Sequence, residues 1–189
     1  MKRILLIRHC QALGQHSDSP LSKKGIQKAY ELARQLERLT FQIDRIITSP
    51  YMRAEESIKP FASRQGIPVE TDERLKERLL SEQPVDDWID ILEESFQNFH
   101  FKLPGGESSN EAYKRAEEVL DECMKEELNE NIIIVTHGNL LALMLKKFHV
   151  DFGFHEWKTL TNPDAFLIQR IGGEYITERI WEENESHFY

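Results

Sequence analysis

The sequence predicts an α/β domain, a three-layer α/β/α sandwich with a mainly parallel central sheet. Three observations predict it. Unbroken apolar runs at residues 4–7 and 132–135 have the composition of strands buried on both faces. Each run is followed by a turn and then by a segment with helical periodicity, the order that builds parallel sheets. The chain has 189 residues, 40% of them hydrophobic, which suits one domain with a core of its own.

The first strand is expected at residues 3–7, ending at Arg8-His9. Ser22 then caps a helix whose buried stripe is Ile26, Ala29, Ala33 and Leu36, at spacings of three and four. A second buried strand is expected at residues 43–48, after which Ser49-Pro50 supplies an N-cap and a proline at the first helical position. That helix turns Ala54, Ile58 and Phe61 inward, with a kink or break near Lys59 where Pro60 interrupts it. Val69, after Gly66-Ile67-Pro68, marks a short third strand.

Residues 86–99 alternate acidic side chains with Trp88, Ile89, Ile91, Leu92 and Phe96, the pattern of a helix with its charges turned to water. Asp86, Asp87 and Asp90 belong to that solvated face and not to a metal site. Residues 103–106 form a loop, and Ser108 with Glu111 makes a capping box. The helix it opens buries Ala112, Ala116, Val119, Leu120 and Cys123. The clearest strand is 131–136, four consecutive β-branched aliphatic residues leading into His137-Gly138-Asn139 and an apolar helix at 140–148. Residues 165–171 and 175–181 around Gly172-Gly173 read as a hairpin at the sheet edge.

Charge and cysteine content narrow the function. With 24 Lys and Arg against 33 Asp and Glu the net charge is −9, so the field of the molecule repels nucleic acid and anionic lipid. The expected partner is a small molecule. No apolar run is long enough for a membrane span or a signal peptide, and Cys10 and Cys123 make neither a disulfide framework nor a zinc site. Both read as free thiols of a cytoplasmic protein.

His9 and His137 fall just beyond the carboxyl ends of two predicted parallel strands, the edge where open α/β sheets bind ligands. Arg8 precedes one histidine, and Arg53 lies one turn into the helix after a third strand end. Guanidinium forks match phosphoryl oxygens, and the N–H groups opening the helices after Ser49 and His137 add positive potential. A neutral imidazole is a competent nucleophile, and its attack on phosphorus splits hydrolysis into formation and breakdown of a phosphohistidine. No metal ligand set is expected. His100, His149, His155 and His187 lack such surroundings and read as structural or exposed.

Five segments carry a resemblance: residues 6–9 (Leu-Ile-Arg-His), 20–25 (Pro-Leu-Ser-Lys-Lys-Gly), 48–54 (Thr-Ser-Pro-Tyr-Met-Arg-Ala), 105–108 (Gly-Gly-Glu-Ser) and 135–139 (Val-Thr-His-Gly-Asn). In that order they resemble the histidine phosphatase superfamily, the phosphoglycerate-mutase-like proteins. The resemblance implies His9 as the phosphorylated nucleophile, with Arg8, Arg53 and His137 closing the phosphate pocket. It implies Glu77 as proton donor, since a carboxyl beside a phosphate dianion keeps a proton for the leaving oxygen. Gln15 stands where many relatives place a phosphate-binding asparagine, and Arg78 and Asn139 are the implied substrate-binding residues. Cys10 replaces the glycine usual after the nucleophile; packing is its expected role, and an oxidation-sensitive thiol is the alternative.

Hydrolases and mutases of the family share this chemistry. Glu77-Arg78 and Asn139 resemble the cofactor-dependent mutases, whereas Leu79-Leu80-Ser81 and the missing paired arginines do not. The expectation is a metal-independent phosphomonoester phosphatase acting on a small phosphorylated metabolite, without cofactor. The alternatives are a phosphoglycerate mutase, which would need 2,3-bisphosphoglycerate, or an inactive relative that binds a phosphorylated ligand. The whole chain is expected to form one domain. A segment around residues 78–105 is expected to cap the site, its aromatic residues lining a substrate pocket or else packing a helix onto the sheet.

Overall fold

The computed structural model describes residues 1–183; His187 therefore lies outside the described residues. Six strands are assigned: β1 (Arg3–Arg8), β2 (Arg45–Thr48), β3 (Val69–Thr71), β4 (Asn131–Thr136), β5 (Asp164–Ile171) and β6 (Glu174–Arg179). Six helices accompany them: α1 (Lys23–Leu36), α2 (Met52–Gln65), α3 (Trp88–Gln97), α4 (Ser109–Lys125), α5 (Gly138–Lys146) and the short α6 (Phe154–Lys158). A 3₁₀ turn occupies Glu73–Leu75. The sheet runs β3-β2-β4-β1-β5-β6. Its first four strands are mutually parallel, and β5 and β6 complete it antiparallel, so the expected α/β architecture with its edge hairpin is what the chain adopts.

The alternation of the strands builds two cores. Ile4, Leu6, Ile132, Ile134, Phe166 and Ile168 meet α4 and α5 on one face. Leu5, Ile7, Ile133, Val135, Ala165 and Leu167 meet α1 and α2 on the other. Each of the larger of these side chains contributes about 1.5–3 kcal/mol relative to exposure, which is why the central strands read as unbroken apolar runs.

Register then sets up the site. Arg8 pairs with Thr136 on β4 and with Asp164 on β5, and Thr48 pairs with Val135. The residues immediately after β1, β2 and β4, namely His9, Ser49 and His137, therefore leave the sheet side by side. The ladder continues one bond past the strands, with His9 N donating to Thr136 O at 3.0 Å and Ser49 N to Val135 O at 2.9 Å.

Several local expectations need correction. In α1, Ser22 does cap the helix, but Ile26 is 49% exposed and the stripe is Gly25, Ala29, Leu32, Ala33 and Leu36. The helix is rotated because Gly25 must face the preceding loop: a Cβ there would lie 2.0 Å from the Gln11 carbonyl oxygen. Helix α2 starts at Met52 with Tyr51 in the cap position, so Ser49-Pro50 does not cap it. Pro60 does not break it either, since the helix runs through to Gln65 with Ile58, Phe61 and Ala62 buried around the proline. That burial outweighs a proline cost of about 3 kcal/mol.

Helix α3 leaves Trp88 and Ile89 exposed, and its aromatic pairs, Trp88 with Trp157 and Phe96 with Phe154, are with α6. Helix α5 begins two residues earlier than expected, at Gly138. The capping box on α4 and its five inner residues are as the sequence predicts. No helix among the described residues is long and apolar enough to cross a membrane.

Candidate active site

The tautomer of His9 follows from its partner. Its Nδ1 lies 2.6 Å from the Cys10 carbonyl oxygen, which can only accept, so Nδ1 carries the proton and Nε2 keeps its lone pair. Burial pushes the imidazole down to about 3, with Arg53 and Arg8 adding to the effect against the Cys10 hydrogen bond. The ring is therefore neutral at physiological pH. Its backbone is anchored from the loop before β5, where Asn162 Nδ2 donates to His9 O at 2.9 Å.

Arg53 is 1% exposed. Its Nε donates to His9 Nε2 at 3.3 Å, and one terminal nitrogen donates to the carbonyls of Gln15 and His16 at 3.1 and 2.9 Å. Tyr51 lies under the guanidinium, with the ring centroid 4.9 Å from Cζ. Arg8 donates to Leu160 O and Thr161 O at 3.1 and 3.4 Å, while its Nε is buried without a partner. Burial lowers both guanidiniums, and the Glu77 charge offsets that penalty at each. Arg8 also packs directly against the start of α5, where a Cβ at Gly138 would stand 2.8 Å from its Cζ.

His137 is fully buried, its ring centroid 5.0 Å from that of His9 and 5.0 Å from that of Tyr51. Its Nε2 lies 2.7 Å from Ser49 Oγ, and its Nδ1 has no partner. Among the described residues Nε2 is the one acceptor in reach of the buried Ser49 hydroxyl, whose other bond is accepted from Tyr51 N. The hydroxyl therefore satisfies its proton by donating to Nε2, and the proton of His137 sits on Nδ1. Burial holds this imidazole well below its ordinary range, with His9 and Arg53 acting in the same direction.

Glu77 sits in the irregular segment after the 3₁₀ turn. One carboxyl oxygen accepts from Arg78 N and Leu140 N at 2.9 and 3.0 Å, the other from Asn139 N at 3.1 Å. Glu77 thus takes the N–H groups of Asn139 and Leu140 at α5, and at α2 Met52 N donates to Ser17 O at 2.9 Å, so these donors are occupied. The N–H of Gly138, the first residue of α5, makes no such bond among the described residues and stands directly after His137.

The other predicted residues divide. Asn139 is 7% exposed with its amide oxygen unpartnered beside the site. Gln15 meets Arg53 through its backbone carbonyl, and its side chain is exposed. Arg78 is 5% exposed, and its guanidinium donates to Ser95 Oγ, Ser109 Oγ and Glu107 O at 2.7, 2.9 and 3.1 Å. It joins α3 to α4 through Nε and Nη1, and Nη2 makes no hydrogen bond among the described residues.

Cys10 is fully buried with Leu21 and Ala29, and burial raises its thiol to about 12, so packing describes it and the oxidation-sensitive reading does not. The turn accepts a side chain because no described non-glycine residue has a positive φ. His100, His149 and His155 are exposed. No group of three or more His, Cys, Asp or Glu among the described residues is arranged to hold a metal.

Sequence reasoning missed Ser49 as a partner of His137, having spent it on a helix cap, and missed Tyr51. It also missed the stretch 160–164 that grips Arg8 and His9. The pairing signal for Ser49 was its position directly after β2. The 160–164 stretch has no local signal, because it reaches this edge only through the antiparallel placement of β5.

Comparison with known proteins agrees with this geometry. A family model described as the histidine phosphatase superfamily (branch 1) matches residues 4–173. The chain is 30% identical to a probable phosphoglycerate mutase GpmB of Erwinia tasmaniensis, covering 77% of this chain and 74% of the relative. The corresponding Yersinia pestis protein matches at the same identity and coverage. Among solved structures, Bacillus stearothermophilus YhfR superposes with a TM-score of 0.76 at 26% identity, covering 95% of this chain and 96% of that one. A mycobacterial glucosyl-3-phosphoglycerate phosphatase solved with inorganic phosphate shares the fold, with a TM-score of 0.74 at 21% identity over 94% of this chain and 96% of that one.

Proposed function

The chain belongs to the histidine phosphatase superfamily and is an enzyme, and on that premise we propose that it is a phosphomonoester phosphatase working through a phosphohistidine on a small phosphorylated metabolite. The observation that carries this reading is the neutral His9 imidazole, its Nε2 lone pair beside two buried guanidiniums and a second imidazole whose Nδ1 lacks a partner.

His9 Nε2 forms a bond to phosphorus as the ester P–O bond breaks, and Arg53 Nε exchanges its bond to His9 for one to a phosphoryl oxygen. Arg8 Nε and His137 Nδ1 donate to the remaining oxygens. The leaving oxygen takes a proton from the Glu77 carboxyl. Water then attacks the phosphohistidine, Glu77 receives its proton, and phosphate departs with neutral His9 restored. Asn139 Oδ1 is an acceptor and suits a substrate hydroxyl better than a phosphate. Superfamily phosphatases act without metal cofactors, and nothing in this sequence of steps asks for one. The segment around 78–105 would then be a cap of the same single domain, with α3 held by Arg78 and by aromatic contacts to α6.

Hydrolysis is favoured over mutase activity by the position of Arg78. A phosphoglycerate mutase must bind a carboxylate as well as a phosphate. Two of the three nitrogens of this arginine, Nε and Nη1, already go to Glu107, Ser95 and Ser109, which leaves no two-nitrogen fork for a carboxylate. The relatives named as mutases and the fold neighbours named as phosphatases leave both chemistries within the family. The test is hydrolysis of p-nitrophenyl phosphate in EDTA by wild type and His9→Ala, with rapid-quench trapping of an acid-labile phosphoprotein. The reading expects turnover and an adduct in wild type alone. Efficient interconversion of 2- and 3-phosphoglycerate stimulated by the bisphosphate would replace it with the mutase.

A further inference from the structure

We propose that Arg115, together with Glu107, is a positioning device that fixes the backbone under Glu77 and so sets the reach of its carboxyl toward the leaving oxygen. The inference rests on the reading of Glu77 as the proton donor, and neither Arg115 nor Glu107 hydrogen-bonds to His9, Arg8, Arg53 or His137.

Residues 76–79 have no helix or strand of their own, so their backbone polar groups need partners from elsewhere. All four carbonyls from residue 74 to residue 77 are taken by side chains. Arg115 donates one terminal nitrogen to Arg74 O and Lys76 O at 2.5 and 2.9 Å, and the other to Glu77 O at 3.4 Å. Thr136, the last residue of β4 and the neighbour of His137, donates its hydroxyl to Leu75 O at 2.8 Å.

Glu107 grips the other side of Glu77. It accepts from Leu79 N at 3.2 Å through its carboxylate and donates its own N–H to Leu79 O at 2.7 Å. The two devices are one unit, because Arg115 forms a fork on the same carboxylate at 2.7 and 2.8 Å. Burial would raise the Glu107 carboxyl, but the Arg115 fork, the Leu79 N–H and the Arg78 charge keep it lowered, so it stays an acceptor.

A surface ion pair of this area would be worth little by itself. What distinguishes this one is where its remaining donors go: they fasten both flanks of a single residue whose side chain crosses to the start of α5. A shift of about 1 Å in a catalytic group costs roughly a hundredfold in rate, so such fastening has a kinetic consequence without any contact to substrate.

The test compares alkyl and aryl phosphate hydrolysis in wild type, Arg115→Ala, Arg115→Lys, Glu77→Gln and the Glu77→Gln/Arg115→Ala pair. An aryl leaving group needs little protonation, so aryl turnover reports the folded, phosphate-competent fraction. Arg115→Ala is expected to lower alkyl-phosphate kcat about tenfold or more with KM little changed, and to leave aryl turnover within about a factor of two. Arg115→Lys keeps the charge opposite Glu107 but cannot fork to three carbonyls, and should fall between the two. In the double variant the Arg115 change should add nothing to the Glu77 loss.

If Glu77→Gln shows no leaving-group dependence, the proton-donor reading itself fails. If it does and Arg115→Ala lowers alkyl and aryl turnover equally, or adds fully to the Glu77 loss, the positioning role is overturned.

Discussion

Ser49 Oγ stands 2.7 Å from His137 Nε2, and this pair decides which nitrogen of the second imidazole can face an anion. Ser49 is fully buried and Nε2 is the one acceptor its hydroxyl reaches among the described residues, so its proton goes to Nε2 and the imidazole proton to Nδ1. Ser49→Ala removes that preference and leaves Nε2 unpaired in a buried site. Losing the bond should cost about 1–2 kcal/mol of transition-state stabilisation, roughly tenfold in kcat, with the melting temperature only slightly reduced. Steady-state kinetics beside thermal unfolding would check this; a fall confined to stability would remove the tautomer role.

Gly138→Ala should separate phosphate binding from folding. A Cβ there would lie 2.8 Å from Arg8 Cζ and 2.9 Å from its Nε, and the atoms it meets are the end of a flexible side chain. Arg8 can swing away, and alanine is the better helix former, so the fold is expected to survive. The guanidinium leaves its place, and inhibition by inorganic phosphate or vanadate should weaken by about tenfold or more. Unchanged inhibition constants would mean that Arg8 does not hold the phosphoryl group.

How much of this was readable in advance follows the periodicity of each part. Strands buried on both faces, such as residues 132–135, announce themselves without help from the rest of the chain. The proposed nucleophile, its arginines and the second histidine drew attention because each lies at the end of a strand, directly beyond one, or within about a turn of the helix that follows. Ser49 was visible in the same way, but capping chemistry offered it a plausible local use.

Arg78 was less legible for a different reason: its chemistry suits a substrate as well as it suits two serines, and only packing shows that its Nη1 goes to Ser95 and Ser109. The rotation of α1, likewise, depends on Gly25 meeting Gln11 across a loop, a contact that spacing within the helix does not encode.

The histidine chemistry has a pH signature. Burial takes the folded His9 to about 3 against an ordinary value of 6.5, so free enzyme should show no loss of kcat/KM between pH 7 and 5 from protonation of the nucleophile. Stability behaves differently. The unfolded state binds the proton first, so the His9 contribution is intact above about pH 6.5 and is lost as the pH falls toward 3. Within that window it weakens the fold by about 1.4 kcal/mol per pH unit. His137, also depressed, acts in the same sense. Urea unfolding at pH 7, 5.5 and 4.5 should find His9→Asn less acid-sensitive than wild type; equal slopes would place the His9 proton elsewhere.

Arg78→Met distinguishes a joint from a substrate clamp. Methionine keeps most of the stem but gives up bonds to Ser95 Oγ, Ser109 Oγ and Glu107 O, leaving two buried hydroxyls short of a donor. Ser95 and Ser109 retain their own donations, to Leu92 O and Ser95 O at 2.6 Å each, so they are not stranded altogether. A loss of about 2–4 kcal/mol in unfolding free energy is expected, at the upper end of single substitutions. Burial takes the guanidinium down to about 10 against the opposing Glu107 and Glu77 charges, so it remains a cation, and its removal also releases a buried charge. The KM for p-nitrophenyl phosphate should stay within about a factor of two, because no substrate contact goes with the bonds that are lost. A mutase-type clamp makes the opposite demand: affinity for phosphoglycerate would collapse while stability held, and that outcome would return Arg78 to the substrate.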